Sequence, residues 1–130
     1  MSGKKRILMV DDDREFVAAT RMLLETNGFE FCSANDGASG IEAAKTCKPD
    51  LIILDVMMTT ETEGIDVSRT LRQTPGMAKT PVIMLTSIRR ALNLPFAFEP
   101  DPEMLPVTSV LEKPVASPRL LEEIRKLLGA

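Results

Sequence analysis

Four places along the chain set acidic, hydroxyl or ammonium side chains directly after a short apolar run. Asp11, Asp12 and Asp13 follow Ile7-Leu8-Met9-Val10, and Asp55 follows Leu51-Ile52-Ile53-Leu54. Thr86 and Ser87 follow Val82-Ile83-Met84-Leu85, and Lys113 follows Ser109-Val110-Leu111-Glu112. Continuous apolar runs of this length are the pattern of strands buried on both faces of a parallel sheet. In open parallel sheets, ligands collect beyond the carboxyl ends of the strands, where the strand order reverses. With right-handed crossovers and the order 2-1-3-4-5, the first and third strands are neighbours, so Asp11, Asp12 and Asp55 converge. Two carboxylates ~5 Å apart repel by about 3 kcal/mol at an effective dielectric near 20. Three together call for a counter-ion, and the chain offers a lysine and a place for a hard divalent cation. Oxygen-only donors favour Mg²⁺, with Mn²⁺ as the alternative, over zinc.

The elements that must position these residues are readable from periodicity. Phe16, Thr20, Leu23 and Leu24 recur at helical spacing after the acidic triplet, and Asn27-Gly28 is a helix stop. Asp13 is also placed to cap that helix. Phe29 to Cys32 reads as the second strand, and Gly37 to Cys47 as a helix closed by Lys48-Pro49. Ile65 to Gln73 makes a short helix stopped before Pro75-Gly76. The last helix has Ser117 as its cap, Pro118 at its first position, and Leu120, Leu121, Ile124, Leu127 and Leu128 in one apolar stripe. Strands alternating with helices predict a five-stranded parallel sheet with helices on both faces, an α/β doubly wound fold. One region breaks the regularity. Between Leu94 and Pro106 stand Pro95, Pro100, Pro102 and Pro106, a spacing no helix can run through. A fourth helix there is confined to about Ile88 to Asn93, followed by a long irregular excursion.

Composition narrows the function classes. At 130 residues there is room for one domain, 1–130, with no separate output domain. A net charge of −3 argues against direct contact with nucleic acid, which usually asks for a basic face. The apolar runs are too short for a membrane span or a signal peptide, and the expected location is cytoplasmic. Histidine is absent, which excludes histidine-based acid–base catalysis and histidine-ligated metals. Two cysteines, Cys32 and Cys47, are too few for a disulfide scaffold and are expected to be reduced and at least half-buried.

The segments Ile7 to Asp13, Pro49 to Met58, Pro81 to Ser87 and Leu111 to Pro114 together resemble the response-regulator receiver domain of two-component signalling, over essentially the full chain. The resemblance implies a flavodoxin-like fold and a phosphoacceptor rather than an enzyme, taking a phosphoryl group from a sensor histidine kinase or phosphotransfer protein. It implies that Asp55 is the acceptor. Asp11, Asp12 and Asp55 would hold Mg²⁺ with the Met57 backbone carbonyl. Thr86 and Lys113 would engage the phosphoryl oxygens, and the Lys113-Pro114 bond would be cis. A downstream protein target would read the altered surface between Thr86 and Val110, the fifth strand and the last helix, with Ser87 among the surface residues. Two rival readings are a phosphorylation-independent adaptor of the same fold and a haloacid-dehalogenase-like phosphatase, which would leave Asp55 unexplained.

Three departures from the family pattern bear on mechanism. The loop Thr59 to Gly64 is one residue longer and lacks the usual proline. Val110 stands where an aromatic switch residue is usual, which leaves Phe96 and Phe98 as candidates for that role. Met57 and Ile88 stand where polar groups often orient the hydrolytic water, and two apolar side chains there predict slow autodephosphorylation.

Overall fold

The four segments that carry acidic, hydroxyl or ammonium side chains at their ends, together with Glu30–Ala34, become five parallel strands. The computed structural model describes residues 4–55, 63–76, 79–87, 108–113 and 116–129, with residues 63–66, 86–87 and 112–113 described by their backbone. The strands are β1 (Arg6–Val10), β2 (Glu30–Ala34), β3 (Leu51–Asp55), β4 (Val82–Ser87) and β5 (Ser109–Lys113). They pair in the order β2-β1-β3-β4-β5, as the sequence predicts, and every pairing is parallel. The helices among the described residues are α1 (Arg14–Thr26), α2 (Gly37–Cys47), α3 (Glu63–Gln73) and α4 (Ser117–Leu128). The expected short helix at 88–93, the excursion at 94–106 and the Lys113-Pro114 bond lie outside them.

Alternation along the strands divides the core in two. Leu8, Val10, Ile52, Leu54, Val82 and Met84 point to one face with Ala44 of α2 and Val67 and Leu71 of α3. Ile7, Met9, Leu51, Ile53, Ile83 and Leu85 point to the other, against Leu24 of α1 and Leu120 and Ile124 of α4. Strands buried on both faces explain why these runs carry no polar alternation.

Helix ends obey local chemistry. The Asp13 carboxylate accepts the Phe16 N–H at 3.1 Å, so Asp13 caps α1 as expected. At the other end, Gly28 N–H bonds to Glu25 O and Phe29 N–H to Leu24 O, a paired closure that needs the positive φ of Gly28. That closure corrects one expectation. Phe29 is still engaged in ending α1, so β2 begins at Glu30. A second correction falls on α4. Leu120 N–H bonds to Ala116 O, which makes Ala116 the cap and puts Ser117 and Pro118 inside the first turn. Proline is tolerated there because the first turn's N–H groups have no intrahelical acceptor.

The third correction concerns the cysteines. Cys32 on β2 and Cys47 at the end of α2 are joined as a disulfide. A count of two cysteines speaks to the need for a scaffold and not to proximity. The helix runs back along β2, and its last turn brings Cys47 over Cys32.

Candidate functional site

The first acidic segment is shaped by two hydrogen bonds. Asp11 N–H donates to Ala34 O at 3.1 Å, extending the β1–β2 pairing one step past the strand. The Asp11 carboxylate then accepts the Asp13 N–H at 2.9 Å, which turns the chain into α1. Asp12 is left exposed at the turn, while Asp11 is 2% exposed. Asp55 is the last residue of β3, in register with Leu85 and 6% exposed. Because β1 and β3 are neighbours, carboxylate oxygens of Asp11, Asp12 and Asp55 all fall within 4.8 Å of one another. At that separation each pair repels by about 3 kcal/mol at an effective dielectric of 20.

A set of three carboxylates, two of them buried, suits a hard divalent cation. All donors are oxygen, and one side of the set is open to solvent through Asp12. Such a site fits Mg²⁺, which keeps part of its water shell and takes only a few carboxylates. Asp11 also lines a cavity of about 530 Å³ between α1 and α2 that Arg14 and Arg21 share.

The hydroxyl and ammonium residues come to the same edge of the sheet. Thr86 pairs in register with Glu112, and Ser87 with Lys113. Their backbones thus lie at the carboxyl ends of β4 and β5, two and three strands over from β1 and on the side of Asp55. Val110 is half-buried and packs against the core beneath α2 and α3, so it is a packing residue in this structure. Met57, Phe96, Phe98 and Ile88 lie outside the described residues.

Two features escaped sequence reasoning. Gly40 of α2 lies so close to β1 that a Cβ there would stand 2.9 Å from both methyl carbons of Val10. A glycine in a helix is a weak signal without knowing what it faces. Glu123 of α4 is buried, with Arg119 Nη1 donating to its Oε1 at 2.9 Å. That hydrogen bond holds the Glu123 carboxyl below its usual range, against the opposing effect of burial and with help from the Ser109 hydroxyl. The i,i+4 spacing was legible; the burial was not.

The sequence pattern of the response regulator receiver domain matches residues 7–125. The chain belongs to that family. Transcriptional regulatory protein CpxR of Escherichia coli is 38% identical over 123 residues, which is 95% of this receiver and 49% of CpxR. The receiver thus spans about half the length of that relative. Among solved structures, the chemotaxis protein CheY4 of Vibrio cholerae superposes with a TM-score of 0.79 at 26% identity, covering 97% of this chain and all of that one (100%). The receiver domain of sensor histidine kinase PA1611 from Pseudomonas aeruginosa, solved with magnesium in its active-site cleft, gives 0.80 at 20% identity, covering 98% of this chain and 100% of that one. The doubly wound fold and the receiver identity read from the sequence are both borne out. The likenesses given above are to signalling receivers. Among the described residues, no helix is long and apolar enough to cross a membrane.

Proposed function

We propose that Asp55 is the phosphoacceptor of this receiver and that Asp11, Asp12 and Asp55 hold Mg²⁺, with the Met57 carbonyl as a further ligand. The convergence of three carboxylates from β1 and β3 within 4.8 Å carries this reading. An Asp55 oxygen attacks phosphorus, the bond from phosphorus to the donor's imidazole nitrogen breaks, and the imidazole leaves. A bound Mg²⁺ supplies charge neutralisation between two anions that would otherwise repel. Asp11 is suited to holding a cation because its backbone is pinned to Ala34 and its carboxylate is fixed by the Asp13 N–H. Thr86 and Lys113, from adjoining strand ends, would bind the phosphoryl oxygens and draw their loops inward.

The donor is a sensor histidine kinase or phosphotransfer protein, and the output is a changed protein-binding surface in the cytoplasm. Phe96 and Phe98 are the aromatics that would report the phosphorylated state, since Phe16, Phe29 and Phe31 belong to the core beneath α1. Their NMR shifts on binding beryllofluoride decide this; unchanged shifts would reject it. Met57 excludes hydrolytic water, so Met57→Asn should hasten phosphate loss by at least several-fold, measured by the decay of the phosphorylated mass.

The deciding experiment is intact mass after acetyl phosphate with Mg²⁺. The parent should gain one phosphoryl group, and neither Asp55→Asn nor the parent in chelator should. A parent that stays unmodified under saturating donor favours the phosphorylation-independent adaptor.

A further inference from the structure

We propose that Cys32 and Cys47 are a reversible thiol–disulfide pair that fastens the carboxyl end of α2 to the edge strand β2. The two sulfurs are bonded although fifteen positions separate the residues (sequence separation 15). Neither belongs to the acid cluster. Cys32 is mid-strand in register with Leu8, and Cys47 is the last residue of α2.

Three observations favour a bond that opens and closes. Neither residue is fully buried, although Cys32 packs against the core, and partial exposure is what exchange with small thiols and disulfides requires. Their Cα atoms stand 7.2 Å apart, beyond the roughly 4.4–6.8 Å that most bridges span. A span beyond that range makes the closed bond depend on where the end of α2 lies relative to β2. Finally, Cys32 Sγ lies 3.6 Å from the Ile7 carbonyl oxygen, an acceptor for the thiol proton once the bond is open. The chain has no third cysteine to compete for pairing.

The oxidant is a low-molecular-weight disulfide. One protein thiolate attacks it, releasing a small thiol and leaving a mixed disulfide. The second protein thiolate attacks the protein-side sulfur, forms the Cys32–Cys47 bond and expels the other small thiol. Two protein thiols are oxidised, one small disulfide is reduced, and the two protons end on the two small thiols. The closed bond acts on a helix already held at that end, where the Arg6 guanidinium donates to Cys47 O. Towards its other end, Gly40 abuts Val10, the residue before Asp11.

The test incubates the reduced receiver with glutathione disulfide, then with iodoacetamide, and reads intact mass and thermal midpoint. We expect an unalkylated monomer lighter by about 2 Da than the dithiol. We also expect dithiothreitol to restore both alkylatable thiols without unfolding. The oxidised form should melt roughly 10 °C higher, from closure of a loop of this length, and exchange its α2 amides more slowly. Cys32→Ser and Cys47→Ser should each show neither the closed mass nor the shift. Two alkylated cysteines, a persistent glutathione adduct, a disulfide-linked dimer, a bond that resists dithiothreitol or an unchanged midpoint would each overturn the proposal.

Discussion

Asp12 is the exposed carboxylate of the cluster, so replacing it leaves no buried polar group behind. Its charge nevertheless faces two buried carboxylates within 4.8 Å. Without divalent metal, Asp12→Asn should therefore stabilise the fold by about 1 kcal/mol once exposure is discounted. Urea denaturation in chelator measures this, and the Mg²⁺-dependent rise in stability should shrink in the same variant. An equal Mg²⁺ response in parent and variant would remove Asp12 from the ligand set. Glu123 gives the opposite case, a carboxylate stabilised as an anion by Arg119. Its folded-state value is depressed, so its contribution is complete above the ordinary carboxylate pKa and is lost as pH falls through the lowered value. Glu123→Gln should cost about 1 kcal/mol at neutral pH, since Arg119 is half-exposed. The gap between parent and variant should close in acid, followed by denaturation at pH 7 and pH 3.

Helix α2 shows how close two elements come when a side chain is missing. A methyl group at Gly40 would meet Val10, which is fully buried and has nowhere to move. Alanine improves helix propensity by about 1 kcal/mol, while overpacking a rigid contact costs about 1–3 kcal/mol. Gly40→Ala should thus lower stability by about 1 kcal/mol, seen as a midpoint lower by several degrees. An increase would show that α2 can back away from β1. The same helix marks what was legible beforehand. Its boundaries, Gly37 to Cys47, and the carboxyl-end placement of Asp11, Asp55, Thr86 and Lys113 follow from local periodicity and turn residues. Its contacts with Val10 and Cys32 are tertiary, set by how the helix lies back across the sheet, and no local pattern encodes them. The start of β2 slipped by one residue for a related reason: Phe29 serves the closure of α1 before it can serve a strand.

Across the whole molecule, the sheet order places β1 between β2 and β3, with β4 and β5 added on one side. Every carboxylate of the cluster is therefore contributed between positions 11 and 55, by the half of the sheet that lies earlier in the chain. During synthesis this half is exposed to solution while β4 and β5 have yet to be made. If β1, α1 and β3 form the folding nucleus, electrostatic repulsion falls on that nucleus rather than on a finished domain. Divalent ions should accelerate refolding, and not merely slow unfolding, to the extent that this nucleus is formed at the rate-limiting step. Stopped-flow refolding with and without Mg²⁺ separates the two limbs: a cation effect confined to unfolding would mean that the acids meet late.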